Sequence, residues 1–313
     1  MFEIVRYTAD RAGEWNRFVE QSKNGTFLFL RNYMDYHSDR FDDFSLMFYR
    51  KHVLYALLPA NRQGQSLYSH QGLTYGGLVM SAKCTTAMVC ELFAALNAYL
   101  REEGMKRVVY KHVPWIYSML PSEEDLFALT SVCHAQLVGR DVASVVLLNN
   151  RLPYATLRRR GQKKALRAQV AASETDEWSA FWQLLEERLW QHHGAHPVHS
   201  LAEIQLLHSR MPQNIRLFVA RHEGRIVGGT VLYVNHQTVK TQYIAANEEG
   251  LEIGALDFLF DELLRHFAEE RMMFFDFGTS NMPHSNELHD SLIHQKEGFG
   301  GRAVCYDTYE WTL

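Results

Sequence analysis

Ile215-Arg216-Leu217-Phe218-Val219-Ala220-Arg221, then His222-Glu223-Gly224-Arg225, then Ile226-Val227-Gly228-Gly229-Thr230-Val231-Leu232-Tyr233-Val234 is the stretch that decides the fold. The first seven residues alternate apolar and polar, the next four are turn formers, and the last nine are a β-rich run, so the two strands read as a hairpin. Asn235-His236-Gln237 turns the chain again into a third strand over 239–245. Asn247-Glu248-Glu249-Gly250 then breaks it before a helix that begins near Ile253. Ile253, Leu256, Phe260, Leu263, Leu264 and Phe267 recur on one face at helical spacing, and 272–277 reads as a buried returning strand.

The same order appears earlier. Residues 45–49 and 53–59 read as a hairpin around Arg50-Lys51-His52, 66–69 as a further strand, and 85–102 as a helix with Val89, Leu92, Phe93, Leu96 and Leu100 on one side. A strand over 107–110 returns. Both copies end alike, Val138-Gly139-Arg140 leading into a strand over 143–148 and Gly300-Gly301-Arg302 into one over 303–311. A repeat in the order of elements points to two similar domains, 1–152 and 153–313, with the boundary near Asn149-Asn150-Arg151-Leu152-Pro153. Before the first hairpin, 2–7 reads as a strand and 10–19 as a helix with Trp15, Phe18 and Val19 inward. The aromatic run of Tyr33, Tyr36 and Phe41 reads as core in preference to a cover over a ligand groove.

Composition sets outer limits. With 313 residues, 47% hydrophobic and 22% charged, the chain buries a large core. Residues 1–10 are mixed rather than a basic start with an apolar run, and no stretch is long enough to span a bilayer, so a cytoplasmic protein is expected. Cys84, Cys90, Cys133 and Cys305 are scattered without a CxxC pair, which fits reduced thiols and argues against zinc. A net charge of −4 gives no global pull toward DNA or an anionic membrane. The local exception is Leu157-Arg158-Arg159-Arg160-Gly161-Gln162-Lys163-Lys164-Ala165-Leu166-Arg167, which reads equally as a phosphate-binding segment and as a solvated helix face. His192, His193, His196 and His199 cluster, but Gly194 and Pro197 interrupt any helix that would align them, so no metal site is expected.

The segment from Gln242-Tyr243-Ile244 through Asn247-Glu248-Glu249-Gly250 to Gly254-Ala255-Leu256 resembles the strand, pyrophosphate loop and helix start of GNAT acyltransferases. Phe275-Asp276-Phe277-Gly278-Thr279-Ser280-Asn281 and Gln295-Lys296-Glu297-Gly298-Phe299-Gly300-Gly301-Arg302 resemble the FemAB-like branch, in which two GNAT folds lie in one chain. The usual loop has Gln or Arg, two residues, Gly, one residue, then Gly or Ala; here only Gly250 and Gly254-Ala255 stand in that neighbourhood. The resemblance implies an α+β chain of two tandem GNAT-like domains, each a mixed, mostly antiparallel sheet flanked by helices. It implies an N-acyltransferase that moves an acyl group from acyl-CoA to an amine acceptor, such as an amino sugar, a sugar nucleotide or a cell-envelope precursor, without metal. Two alternatives stand beside it: an aminoacyl-tRNA-dependent transferase, and a non-catalytic binding module of the same fold.

Acyl transfer to an amine needs donors for the carbonyl, a base for the incoming ammonium and a proton for the leaving thiolate. Asp276, at the end of a phenylalanine-rich strand where an apolar setting raises a carboxyl pKa, reads equally as the base and as a cap or turn partner for Gly278, Thr279 and Ser280, with His193 the second candidate base and Tyr243 the acid. Gln242, Asn247, Gly250, Gly254 and Ala255 are expected at the donor, Gly250 and Gly254 letting phosphates approach the backbone and the helix N-terminus. The FemAB-like resemblance implies substrate contacts at His199, Ser280, Asn281 and Lys296 in the second domain, where the residues alone read as a loop histidine and a solvated lysine. The first domain lacks a donor loop; the FemAB-like resemblance implies that His70, Gln71 and Tyr75 form one wall of the acceptor site, while the residues alone read equally as a tight β-connection.

Overall fold

The computed structural model describes residues 2–282 and 285–313, and of His192 and His193 only the backbone. Two compact units emerge, Met1–Asp141 together with Cys305–Leu313, and Val142–Val304.

In chain order the first unit comprises β1 (Glu3–Arg6), α1 (Ala12–Gln21), α2 (Arg31–Met34), β2 (Asp42–Asp43), β3 (Leu46–Arg50), β4 (Val53–Leu58), β5 (Asn61–Gln63), β6 (Ser66–Tyr68), β7 (Val79–Met80), α3 (Thr86–Glu102), β8 (Arg107–Lys111) and α4 (Glu124–Ser131). The long strand β9 (Gln136–Leu147) passes from the first unit into the second, which holds α5 (Thr156–Arg167), β10 (Ala171–Glu174), α6 (Trp178–His193), α7 (Leu201–Arg210), β11 (Ile215–His222), β12 (Arg225–Val234), β13 (Thr238–Ala246), α8 (Glu248–Ile253), α9 (Ala255–Glu269), β14 (Phe274–Thr279) and α10 (Asp290–Glu297). β15 (Arg302–Thr312) leads back into the first unit.

The second unit is one sheet in the order β10-β11-β12-β13-β14-β9, antiparallel except at β13/β14. The first has a sheet β1-β3-β4-β7 and a second ladder in which β8 lies between β6 and β15. Each unit thus repeats the strand-hairpin-strand-helix-strand order of a GNAT fold, so the chain is a tandem of two α+β units with mixed, mostly antiparallel sheets. Both hairpins close through two residues of positive φ, Lys51 (49°) and His52 (60°) in one, Glu223 (49°) and Gly224 (78°) in the other, the geometry that matches strand twist.

The end strands are exchanged. Residues 143–147 of β9, which close the first copy in sequence, pair with β14 of the second unit, from Ala143↔Thr279 to Leu147↔Phe274. Residues 308–312 of β15, which close the second copy, pair with β8 of the first, from Thr308↔Lys111 to Thr312↔Arg107. The compact units are therefore discontinuous along the chain, whereas the repeat of patterns draws its boundary at 152/153.

Burial follows the helical periodicity. On α3, Val89, Leu92, Phe93, Leu96 and Leu100 are fully enclosed against β3, β4 and β8. On α9, Leu256, Leu259, Phe260, Leu263, Leu264 and Phe267 pack on Val227, Leu232, Val239, Phe275 and Phe277; each such side chain contributes about 1.5 to 3 kcal/mol. The expected helix near Ile253 differs in detail. Helical structure already begins at Glu248, capped by Asn247, and Gly254 with φ 78° separates α8 from α9.

Candidate active site

Between β13 and β14 the second unit opens into a fork. The two strands are parallel and paired only at Thr238↔Phe274, Val239↔Phe275 and Lys240↔Asp276 among the described residues. Just beyond that third rung both strands are distorted on their far sides. Gln242 is an extra residue in β13 against β12, where Val231 faces Tyr243 and Leu232 faces Thr241. Phe277 and Gly278 both lie opposite Ser144, because Asp276 faces Val145 and Thr279 faces Ala143. Bulges bend a strand and increase its twist, and two of them at one height swing β13 and β14 apart. Among the described residues the edge of β13 beyond Lys240 has no ladder partner in β14.

The throat of the fork carries charge. Asp276 is fully buried, and its Oδ1 accepts the Gly278 N–H at 2.7 Å. Lys240, 8% exposed, donates to the Thr241 carbonyl (3.1 Å) and to Gln242 Oε1 (3.3 Å). Lys296 of α10, 6% exposed, donates to the carbonyls of Gly278 (3.0 Å) and Thr279 (2.6 Å). Burial drives the Lys296 ammonium pKa down to about 8, with Asp276 opposing and Lys240 reinforcing the shift. Burial likewise lowers that of Lys240 against the pull of Asp276. Asp276 thus serves as the turn partner of Gly278, and two buried lysines stand beside the phenylalanines of its strand as further neighbours of its carboxylate.

Farther along β13, Tyr243 meets His199. The Tyr243 hydroxyl lies 2.6 Å from His199 Nδ1 and accepts the His199 main-chain N–H at 3.2 Å, while Trp182 of α6 packs edge-on to its ring. Burial raises the phenol pKa, so the group keeps its proton and shares it with His199. Ser280 is fully buried and its Oγ has no hydrogen-bond partner among the described residues. Asn281 accepts the Val142 N–H at 2.8 Å and so fastens the start of the exchanged strand. The His193 side chain lies outside the described residues.

The expected donor loop has a different construction. A Cβ on Gly250 would lie 2.1 Å from the Val227 carbonyl, and one on Gly254 2.5 Å from the Gly161 carbonyl. These glycines permit close packing of protein on protein, and both also line the cavity beside α5. Asn247 Oδ1 is taken by the Gly250 N–H, and Ala255 is buried at the start of α9. Helix α5, the basic run of the sequence, lies across α8 and α9, with Arg158 paired to Asp257 at 2.5 Å. A cavity of about 410 Å³ remains there, lined on one side by Arg158, Arg160 and Lys164 and on the other by Gly250, Leu251 and Glu252. The cavity is lined from α5, α8, α9 and Gln295 of α10, the helix that also carries Lys296.

In the first unit the equivalent gap is filled. β7 pairs with β4, β8 pairs with β6 and β15, and the Tyr110 ring stands between. Its hydroxyl accepts the Leu78 N–H (2.7 Å) and donates to Asp125 Oδ2 (2.6 Å), which also faces His112 Nδ1 at 3.1 Å. Tyr75, 1% exposed, packs on Phe29 and Tyr117 and so faces the core rather than an open wall. His70 is buried at φ 65° and stacks on His37, and Gln71 bonds Asn61 and Gln63.

Sequence reasoning missed Lys240. A lysine in an alternating strand reads as a solvent-facing residue, and its buried partner Asp276 lies a helix away. No group of three or more His, Cys, Asp or Glu among the described residues is placed to hold a metal, and no helix is long and apolar enough to cross a membrane.

Residues 154–286 match a family model described as an acetyltransferase (GNAT) domain. The fold is shared with several solved structures. FemX is 11% identical, with a TM-score of 0.71 over 99% of this chain and 97% of that one. L-PGS from Bacillus licheniformis is 13% identical, with a TM-score of 0.62 over 98% and 92%. A tandem GNAT protein from the clavulanic acid biosynthesis pathway is 12% identical, with a TM-score of 0.51 over 100% and 98%. At these identities the likeness is one of fold. No curated protein matches the sequence significantly.

Proposed function

We propose that this chain, a tandem GNAT protein of the FemAB-like kind, transfers an acyl group from a thioester of coenzyme A to an amine at the fork of its second unit. The observation that carries the reading is the parting of β13 and β14 just beyond the Lys240/Asp276 rung, with a buried amine, Lys296, at the throat.

In this reading the donor carbonyl lies against the free edge of β13, where main-chain N–H groups polarise it. Lys296 takes a proton from the incoming ammonium. An uncharged amine has two N–H bonds and one lone pair, and the carbonyls of Gly278 and Thr279 occupy two donors, which leaves the lone pair for the acceptor. With a pKa of about 8, roughly a tenth of Lys296 is uncharged at pH 7. The freed amine attacks the carbonyl carbon, the C–S bond breaks, the proton held by Lys296 goes to the departing thiolate, and the second proton that the nitrogen sheds as the amide forms passes to water. Asp276, assigned at first as the base, here balances the lysines. Tyr243 and His199 position the loop beside β13, and Ser280 Oγ is available to the acceptor. Arg158, Arg160 and Lys164 meet the donor's phosphates from α5, in place of a bare glycine loop. An amino sugar or cell-envelope precursor with a primary amine fits the acceptor role, and a cytoplasmic location fits a coenzyme A donor.

One observation favours a second reading, aminoacyl transfer from tRNA. Where a bare pyrophosphate loop is expected, α8 presents Glu248, Glu249 and Glu252, whereas α5 presents a run of cations suited to a nucleic-acid backbone. Incubation of the full chain with acetyl-CoA tests the first reading: a rise in melting temperature and acylation of an amine, both insensitive to RNase, are expected. Absence of any shift with coenzyme A species, together with transfer that RNase abolishes, overturns it.

A further inference from the structure

An acid stands among the cations of the cavity beside α5. Asp257, the third residue of α9 and 8% exposed, lines the same space as Arg158, Arg160 and Lys164. An isolated carboxylate there would repel a phosphate. Its two oxygens are turned to α5 instead. Oδ1 accepts from Arg158 Nη1 at 2.5 Å, and Oδ2 lies so close to the α5 backbone that a Cβ at Gly161 would stand 1.8 Å from it. Burial raises the Asp257 carboxyl pKa and Arg158 opposes the rise, so the guanidinium favours the charged carboxylate. Arg158 is held in turn on three sides. Asp257 takes one N–H, the Phe299 ring lies 5.5 Å from the guanidinium carbon, and Gly298 fits against the stem, where a Cβ would fall 3.1 Å from Arg158 Cγ. A guanidinium carries five N–H bonds in one plane, so fixing one edge fixes the direction of the others. Arg160 and Lys164 are exposed by contrast, with Lys164 3.9 Å from the exposed Glu252.

We propose that Asp257 is a positioning residue of this cavity: it clamps Arg158 so that this one guanidinium anchors a diphosphate ester, while Arg160 and Lys164 supply positive charge that is not fixed in direction. That the diphosphate is the donor's rests on the acyltransfer reading; the clamp rests on the ion pair, the ring and the glycine contacts alone. An acid in the first turn of α9 also suits the helix dipole, so a clamp has to be told apart from a purely structural acid. The sign of the effect does so. Removing a negative charge from a phosphate cavity strengthens anion binding, whereas removing the holder of the anchoring guanidinium weakens it.

The test is a calorimetric titration of the full chain with inorganic pyrophosphate and, in parallel, with coenzyme A. Asp257→Ala is expected to weaken the binding of both about tenfold although it removes an anion. In an Arg158→Met background, where no guanidinium is left to orient, the same substitution is expected to weaken pyrophosphate binding no further. Pyrophosphate binding that is unchanged or tighter in Asp257→Ala, an equal loss in both backgrounds, coenzyme A binding that ignores the substitution, or a wild type that binds no pyrophosphate overturns the proposal. Should Asp257→Ala not fold, Gly161→Ala serves instead: alanine favours α5 as a helix, but its methyl group displaces the Asp257 carboxylate without changing any charge. Weaker pyrophosphate binding is expected there, and an affinity equal to wild type overturns the proposal. A wild type that binds both probes in this Asp257-dependent way yet transfers no acyl group ends the function assigned above and leaves the clamp standing.

Discussion

The two units place different things in the same gap. In the second, strands β13 and β14 part at a rung of Lys240 and Asp276 and leave room beyond it; in the first, the Tyr110 ring fills the space, hydrogen-bonded to Leu78 and Asp125. A fork is a defect in a sheet, with main-chain groups that lack ladder partners. One copy of the fold satisfies those groups with its own side chain and thereby gains rigidity. The other, among the described residues, leaves them unpaired beyond the rung, beside bulges on both strands and buried lysine and aspartate side chains. The repeated order of elements lets one chain hold both solutions.

The comparison breaks most severely if the exchanged strands are removed. A chain of 153–313 lacks the residues that pair with Phe274 to Thr279, and 1–152 lacks those that pair with Arg107 to Lys111. Neither half is expected to show a cooperative thermal transition, whereas 142–304, which keeps the second unit whole, is expected to show one. Cooperative unfolding of both halves cut at 152/153 would mean that the exchange contributes little.

A smaller effect separates the two gaps. Tyr110→Phe removes a hydrogen bond to a buried carboxylate and strands the Leu78 N–H, an expected loss of about 2 to 3 kcal/mol with turnover per folded molecule retained. Tyr243→Phe loosens His199 and is expected to lower turnover about tenfold with less effect on stability. Denaturant titration beside an acylation assay reads both; a silent Tyr243→Phe, or a Tyr110→Phe that stops transfer in a stable protein, reverses the assignment of plug and site. Smallest of all is the difference between the two hairpin turns. His52 stands at φ 60° where the second unit has Gly224, so His52→Gly is expected to raise stability by about 0.5 to 1 kcal/mol, visible as a small rise in melting temperature.

Much of the fold was legible because period and turn chemistry are local. The alternation of Ile215 to Val234 and the helical face from Leu256 to Phe267 require no distant information. The strand exchange was invisible for the same reason: both copies end in a Gly-Arg step and an alternating strand, and nothing local distinguishes pairing with one's own sheet from pairing with the other. Lys240 was missed because its burial depends on Asp276 and Lys296, remote in sequence. Gly250 and Gly254 were assigned to phosphates because close approach to a ligand and close approach to Val227 or Gly161 demand the same residue. Ser200 and Glu203 form a capping box that marks the start of α7, a signal present in the sequence and not used.

The exchange also inverts the order in which the protein can mature during synthesis. The partner of β14 is already made when β14 emerges, but the partner of β8 is among the final residues, the Arg107–Glu310 ion pair spanning 203 positions. At ribosomal speeds the earlier-born unit waits roughly 10 to 40 s with one sheet edge bare, and the younger unit closes first.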